Sequence, residues 1–107
     1  MEFHEKLYTA DLSAKDTKII QKKINKGKNI EALYCIVLPL FNDGILEIYE
    51  YNQLLNTYLK HISNEIVNKI VIVGLATSNE EAVNAVAYIV DKVFQETGKA
   101  DVRKYFD

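Results

Sequence analysis

The stretch from Ser78 to Gly98 constrains this chain more than any other, because it specifies both ends of a helix and the width of its buried side. Ser78 can accept from a first-turn amide, and Glu81 three residues later completes an S-x-x-E capping box. Gly98 stands where a left-handed stop belongs. Between them, residues 79–97 present Ala82, Val86, Ile89 and Val93, and also Val83, Val90 and Phe94, a set too broad for one narrow stripe. Such a helix is expected to be covered on more than one side. Directly before it, KIVIVGLA (69–76) runs through four β-branched residues to Gly74, which predicts a strand.

Working backwards and forwards from that unit gives the remaining elements. Residues 3–9 alternate, with Phe3, Leu7 and Thr9 on one side and His4, Lys6 and Tyr8 on the other, so a short strand with one wet face is expected. Ser13 and Asp16 open a helix over 14–26 with an apolar stripe of Ile19, Ile20 and Ile24, stopped at Gly27. ALYCIVLPLF (32–41) is apolar throughout and reads as a strand covered on both faces, ending or bulging at Pro39. Asn42-Asp43-Gly44 predicts a turn into a returning arm over 45–51, and helical spacing takes over across 52–67. The tail holds Val102, Tyr105 and Phe106, too apolar to stand free in water.

The expected order is therefore β-α-β-β-α-β-α in one α/β (α+β) sandwich domain spanning residues 1–107. Two arrangements fit it: a ferredoxin-like sandwich, or a mixed four-stranded sheet with an extra C-terminal helix. The first strand should be central in the ferredoxin-like form, yet it is the most polar of the four. A mixed sheet puts it near an edge, and helices on both faces would then bury the last helix broadly.

Composition narrows the function classes. A chain of 107 residues with 49% hydrophobic content is long enough to build a core without metal or disulfide staples, and a single cysteine, Cys35, excludes an intrachain disulfide. Cys35 sits in the apolar run and reads as a buried hydrophobe. MEFHEKLYTADL has no apolar stretch suited to a signal peptide, and no run approaches membrane-spanning length, so a cytoplasmic location is expected. His4 and His61 lack zinc-ligand spacing, and no cofactor fingerprint is present; none is expected.

Three clusters are candidates for function. Residues 1–30 hold seven lysines against four acids, and Lys15, Lys18, Lys22 and Lys26 fall on one helix side, the pattern a nucleic-acid contact would need. The stretch has no arginine or interleaved aromatic and the chain's net charge is −2, so a solvated helix face is the better reading. Glu47, Tyr49, Tyr51 and Tyr58 gather at the hairpin-to-helix junction, where phenols and a carboxylate can line a small-molecule pocket. Val86, Ile89, Val93, Val102, Tyr105 and Phe106 supply apolar material for a second layer or a second subunit.

The piece VIVGLATSNEEAVNAVAYIVDKVFQETGKADVRKYF, with LEIYEYNQLL before it, resembles small uncharacterised bacterial proteins. The resemblance covers about half the chain; it implies a bacterial cytoplasmic setting and no activity. The expectation that follows is a non-catalytic, self-associating binding or regulatory module, most simply a homodimer, with a small-molecule or protein partner. The alternatives are a small enzyme using the Glu47–Tyr58 corner and an accessory protein binding nucleic acid through the lysine helix.

Overall fold

In a computed structural model of the chain, residues 1–39, 46–55, 70–99 and 101–107 are described. The elements run β1 (Glu2–Tyr8), α1 (Ala14–Asn25), β2 (Tyr34–Val37), β3 (Glu47–Glu50), α2 (Tyr51–Gln53), β4 (Val71–Ala76), α3 (Asn79–Thr97) and α4 (Val102–Tyr105). The expected turn at 42–44, most of the 52–67 helix, Tyr58 and His61 lie outside the described residues.

The strands form one mixed sheet in the order β1-β4-β2-β3. β1 runs parallel to β4, while β2 is antiparallel to both β4 and β3. The mixed arrangement is thus the one adopted. β1 lies at an edge rather than in the centre, where the ferredoxin-like form would need it. Its polar alternation explains the choice: a strand bearing His4, Glu5 and Lys6 cannot be sandwiched between two neighbours and two helix layers without stranding charges.

Two clusters of buried side chains occupy opposite faces of the sheet. Ile36, Val73, Ala76, Ala82, Ala85, Ile89 and Val93 form one, joined by Val102 and Phe106 from the tail. Ile24, Leu33, Cys35, Val37, Tyr51, Ile70, Ile72 and Leu75 form the other, with Leu12 and Ile20 of the α1 region packed against it. The result is three layers, α3 and α4 over one face and α1 over the other.

A bulge in β4 sets this partition. Ile36 pairs with Gly74 but the next residue of β2, Val37, pairs with Ile72, so Val73 has no opposite number. The extra residue shifts the alternation, and Leu75 turns to the α1 side with Ile70 and Ile72. Gly74 is needed at this point. A Cβ there would stand 2.8 Å from Ile36 Cδ1, 3.3 Å from Ile36 Cβ and 3.4 Å from the Tyr8 carbonyl oxygen.

Both long helices end as their sequences predict. Ser13 Oγ accepts from the Asp16 amide and Ser78 Oγ from the Glu81 amide, each at 3.1 Å. Gly27 and Gly98 adopt φ of +67° and +73°, and the Gly98 amide closes α3 onto the Phe94 carbonyl. The tail is docked by more than its apolar residues. Asp101 caps α4 by accepting from the Lys104 amide, and Arg103 donates to the Pro39 carbonyl beyond the end of β2.

Candidate functional site: an aromatic groove at the β1 edge

The polar side of β1 faces α3 and α4, and a groove of about 410 Å³ opens between them. That volume falls within the range of small-molecule sites. Its walls come from three separate parts of the chain: residues 5–8 of β1, the row Tyr88, Lys92 and Glu96 on α3, and Tyr105 with Phe106 at the tail. The α3 residues recur at i, i+4 and i+8, so one helix side delivers all three to the strand.

At one end Tyr8 and Tyr88 stack, with centroids 4.5 Å apart and planes 16° from parallel. At the other, Tyr105 and Phe106 meet edge to face at 5.1 Å. The Lys6 ammonium lies 4.2 Å over the centre of the Tyr105 ring. The Tyr105 hydroxyl donates to Glu96 Oε2. That hydrogen bond, with some burial and the carboxylate's charge, raises the Tyr105 pKa above the ordinary tyrosine value, so the phenol stays a donor.

His4, just outside the lining, ties Phe106 to β1. Its Nδ1 accepts from the Lys6 amide at 3.0 Å, which leaves the proton on Nε2 to donate to the Phe106 carbonyl at 2.9 Å. The ring also meets Phe106 edge to face at 4.9 Å. One imidazole therefore ties the edge strand to the tail. It does so where β1 departs from regular pairing: Phe3 is opposite Ile72 and Tyr8 opposite Gly74, five steps against two.

The corner expected from sequence is built differently. Tyr51 is fully buried in the cluster beneath α1, and its hydroxyl has no hydrogen-bond partner among the described residues. Burial, and secondarily the neighbouring Cys35, raises its pKa. Tyr51 is therefore a core residue, not a pocket wall. Glu47 and Tyr49 are half-buried on the edge strand β3, and the Tyr49 hydroxyl donates to Glu47 Oε2 at 3.0 Å. Cys35 is buried, and loss of water pushes its thiol up to about 12, far from a thiolate nucleophile at neutral pH.

The apolar candidates on α3 and the tail also need correction. Ile89, Val93, Val102 and Phe106 are buried against the chain's own sheet, so they cannot face a second subunit. Val86 and Tyr105 are half-buried. What α3 leaves in solvent is its flank, where Val83 is 52% exposed and Phe94 56% exposed. Lys15, Lys18, Lys22 and Lys26 are all exposed on the α1 region, on the far side of the sheet from the groove.

Sequence reasoning named Tyr105 and Phe106 for another role and passed over Tyr8, Lys6, Tyr88, Lys92 and Glu96. Two signals pointed to them: the wet side of β1, and the ring and charges at four-residue spacing on an otherwise apolar helix. Among the described residues, no helix is long and apolar enough to cross a membrane, and no three His, Cys, Asp or Glu converge as metal ligands. No family model matches the chain, and neither a curated protein nor a solved structure matches it.

Proposed function

We propose that this domain is a non-catalytic binding module, working in a bacterial cytoplasm, that takes a small ligand in the groove between β1, α3 and α4. The observation that carries the reading is the groove itself: two pairs of contacting rings at its ends, charged side chains between them, and walls drawn from both ends of the chain. Rings used only for packing would be covered, yet Tyr88 is 49% exposed while its stacking with Tyr8 keeps it oriented. A pre-oriented ring at a groove mouth offers a ligand contact area at little entropic cost. The test is a titration of isotope-labelled protein with phenol, a ring probe without charge, followed by backbone amide shifts. Saturable shifts at residues 5–8, 88–96 and 105–106, lost in Tyr88→Ala, support the reading; shifts confined to residues 47–55 contradict it.

Self-association through α3 is a second reading, favoured by one specific observation. Val83, Ala87 and Phe94, all exposed, and the half-buried Val90 follow one another at spacings of four, three and four along one flank of α3, the pattern of a helix-pairing seam. The spacing is symmetric about its midpoint. An antiparallel second copy would set Val83 against Phe94 and Ala87 against Val90 twice over, as a two-fold interface requires. Light scattering at tens of micromolar should report a dimer that Phe94→Glu converts to monomer, and a monomeric parent protein would sink this reading.

A further inference from the structure

We propose that the groove's ligand is a small ring-bearing anion, a planar aromatic ring carrying one carboxylate or phosphate group. This rests on the binding-module reading and names the chemistry of the same site.

Charge is the first ground. Lys92 lies one helical turn beyond Tyr88, is exposed, and has no ionic or hydrogen-bonded partner among the described residues. Lys6 is held over Tyr105 by a cation–π contact worth only about 0.5–1 kcal/mol at an exposed position, so its ammonium is readily redirected. Two carboxylates share the groove with them. Glu96 already accepts from the Tyr105 hydroxyl, while Glu5, exposed on β1, also lines the groove. Two ammonium groups and two carboxylates therefore line the groove, and the preference for an anion rests on Lys92, the charge one turn from Tyr88 on the same side of α3.

Ring geometry is the second ground. One face of Tyr88 is covered by Tyr8, while the residue is 49% exposed, and Lys92 follows one turn along the same side of α3. A ligand ring placed against Tyr88 would carry its anionic group one turn along α3, within reach of Lys92 from one wall and Lys6 from the other. An aromatic contact and a charge-assisted hydrogen bond then act on a single small molecule. Other occupants fit less well. A cationic group on a ring held at Tyr88 would fall beside Lys92, and an added peptide strand would find the Lys6 amide already taken by His4.

The experiment compares matched probes on the full chain by amide-shift titration. The carboxylate arm sets 1-naphthoate against neutral 1-naphthalenemethanol, and the phosphate arm sets adenosine 5′-monophosphate against adenosine. Acetate and inorganic phosphate serve as ringless anions. In at least one arm, the ring-bearing anion is expected to bind about tenfold more tightly than its neutral counterpart, with shifts at residues 5–8, 88–96 and 105–106. The responding arm identifies the anionic group. Joint Lys6→Gln and Lys92→Gln substitution should reduce that advantage, measured against the neutral ring on the same variant, to about twofold or less. Both lysines are exposed, so an unchanged unfolding midpoint verifies that the variant is folded.

If neutral and charged rings bind the groove equally, or ringless anions bind as tightly as ring-bearing ones, the ligand class is overturned and the binding-module reading stands. If no probe perturbs the groove, both fall.

Discussion

The two edges of the sheet carry similar residues and use them in opposite ways. At the β3 edge, Glu47, Tyr49 and Tyr51 lie within five positions of one another. The Tyr49 hydroxyl bonds Glu47 on its own strand, and Tyr51 turns into the core at 0% exposure. At the β1 edge, Tyr8, Tyr88 and Tyr105 come from three distant segments, and they leave about 410 Å³ between them. Neighbours on one strand can satisfy each other directly. Side chains brought together by tertiary structure are held at the separation of the elements bearing them, here a strand and a helix in different layers, and that separation leaves room for a ligand.

The sharpest way to break this contrast is to remove a ring from each side. Tyr51→Ala deletes a fully buried aromatic and should cost about 3–5 kcal/mol in urea denaturation, whereas Tyr88→Ala should cost under about 1 kcal/mol. Equal costs would mean that the β1-edge rings are also structural. Next in size is an alkaline effect beneath the β3 edge, where Cys35 pairs with Tyr49 across the sheet. Burial lifts its thiol from 9.0 to about 12, so the folded chain keeps a proton that the unfolded chain releases. Stability is therefore full below pH 9 and declines as pH rises towards 12, by up to about 1.4 kcal/mol per pH unit. Urea midpoints from pH 8 to 10.5 should fall more steeply in the parent protein than in Cys35→Ala; parallel slopes would contradict the assignment.

Gly74 belongs to neither edge, but it governs how β4 serves both faces. Gly74→Ala should cost about 1–2 kcal/mol, because Ile36 is buried and must move to admit the new methyl group. A neutral outcome by thermal melting would show that the bulge has slack. Smallest is Tyr51→Phe, which removes a buried hydroxyl lacking a partner among the described residues. It should raise stability by about 1 kcal/mol, and a loss of that size would indicate that the hydroxyl is satisfied.

Much of the architecture was legible because its signals are local. The serine caps, the glycine stops and the apolar run of β4 each depend on residues within a few positions, and α3 matches its expected 79–97 span. The edge position of β1 could also be inferred, since polar alternation excludes a doubly covered strand. The groove could not be read in the same way. It depends on β1 lying parallel to β4 and on the tail folding back so that His4 meets Phe106, a contact spanning 102 positions. Proximity in sequence made the Glu47–Tyr58 corner look like the site, and it gave no indication that Tyr51 would be drawn into the core.

The central claim is that the ligand-binding edge is β1 and not β3. Intermolecular nuclear Overhauser effects between bound 1-naphthoate and the tyrosine ring protons test it most directly. Contacts are expected from the naphthoate ring to Tyr88 and Tyr105, with none to Tyr49. Contacts to Tyr49 without any to Tyr88 would contradict it.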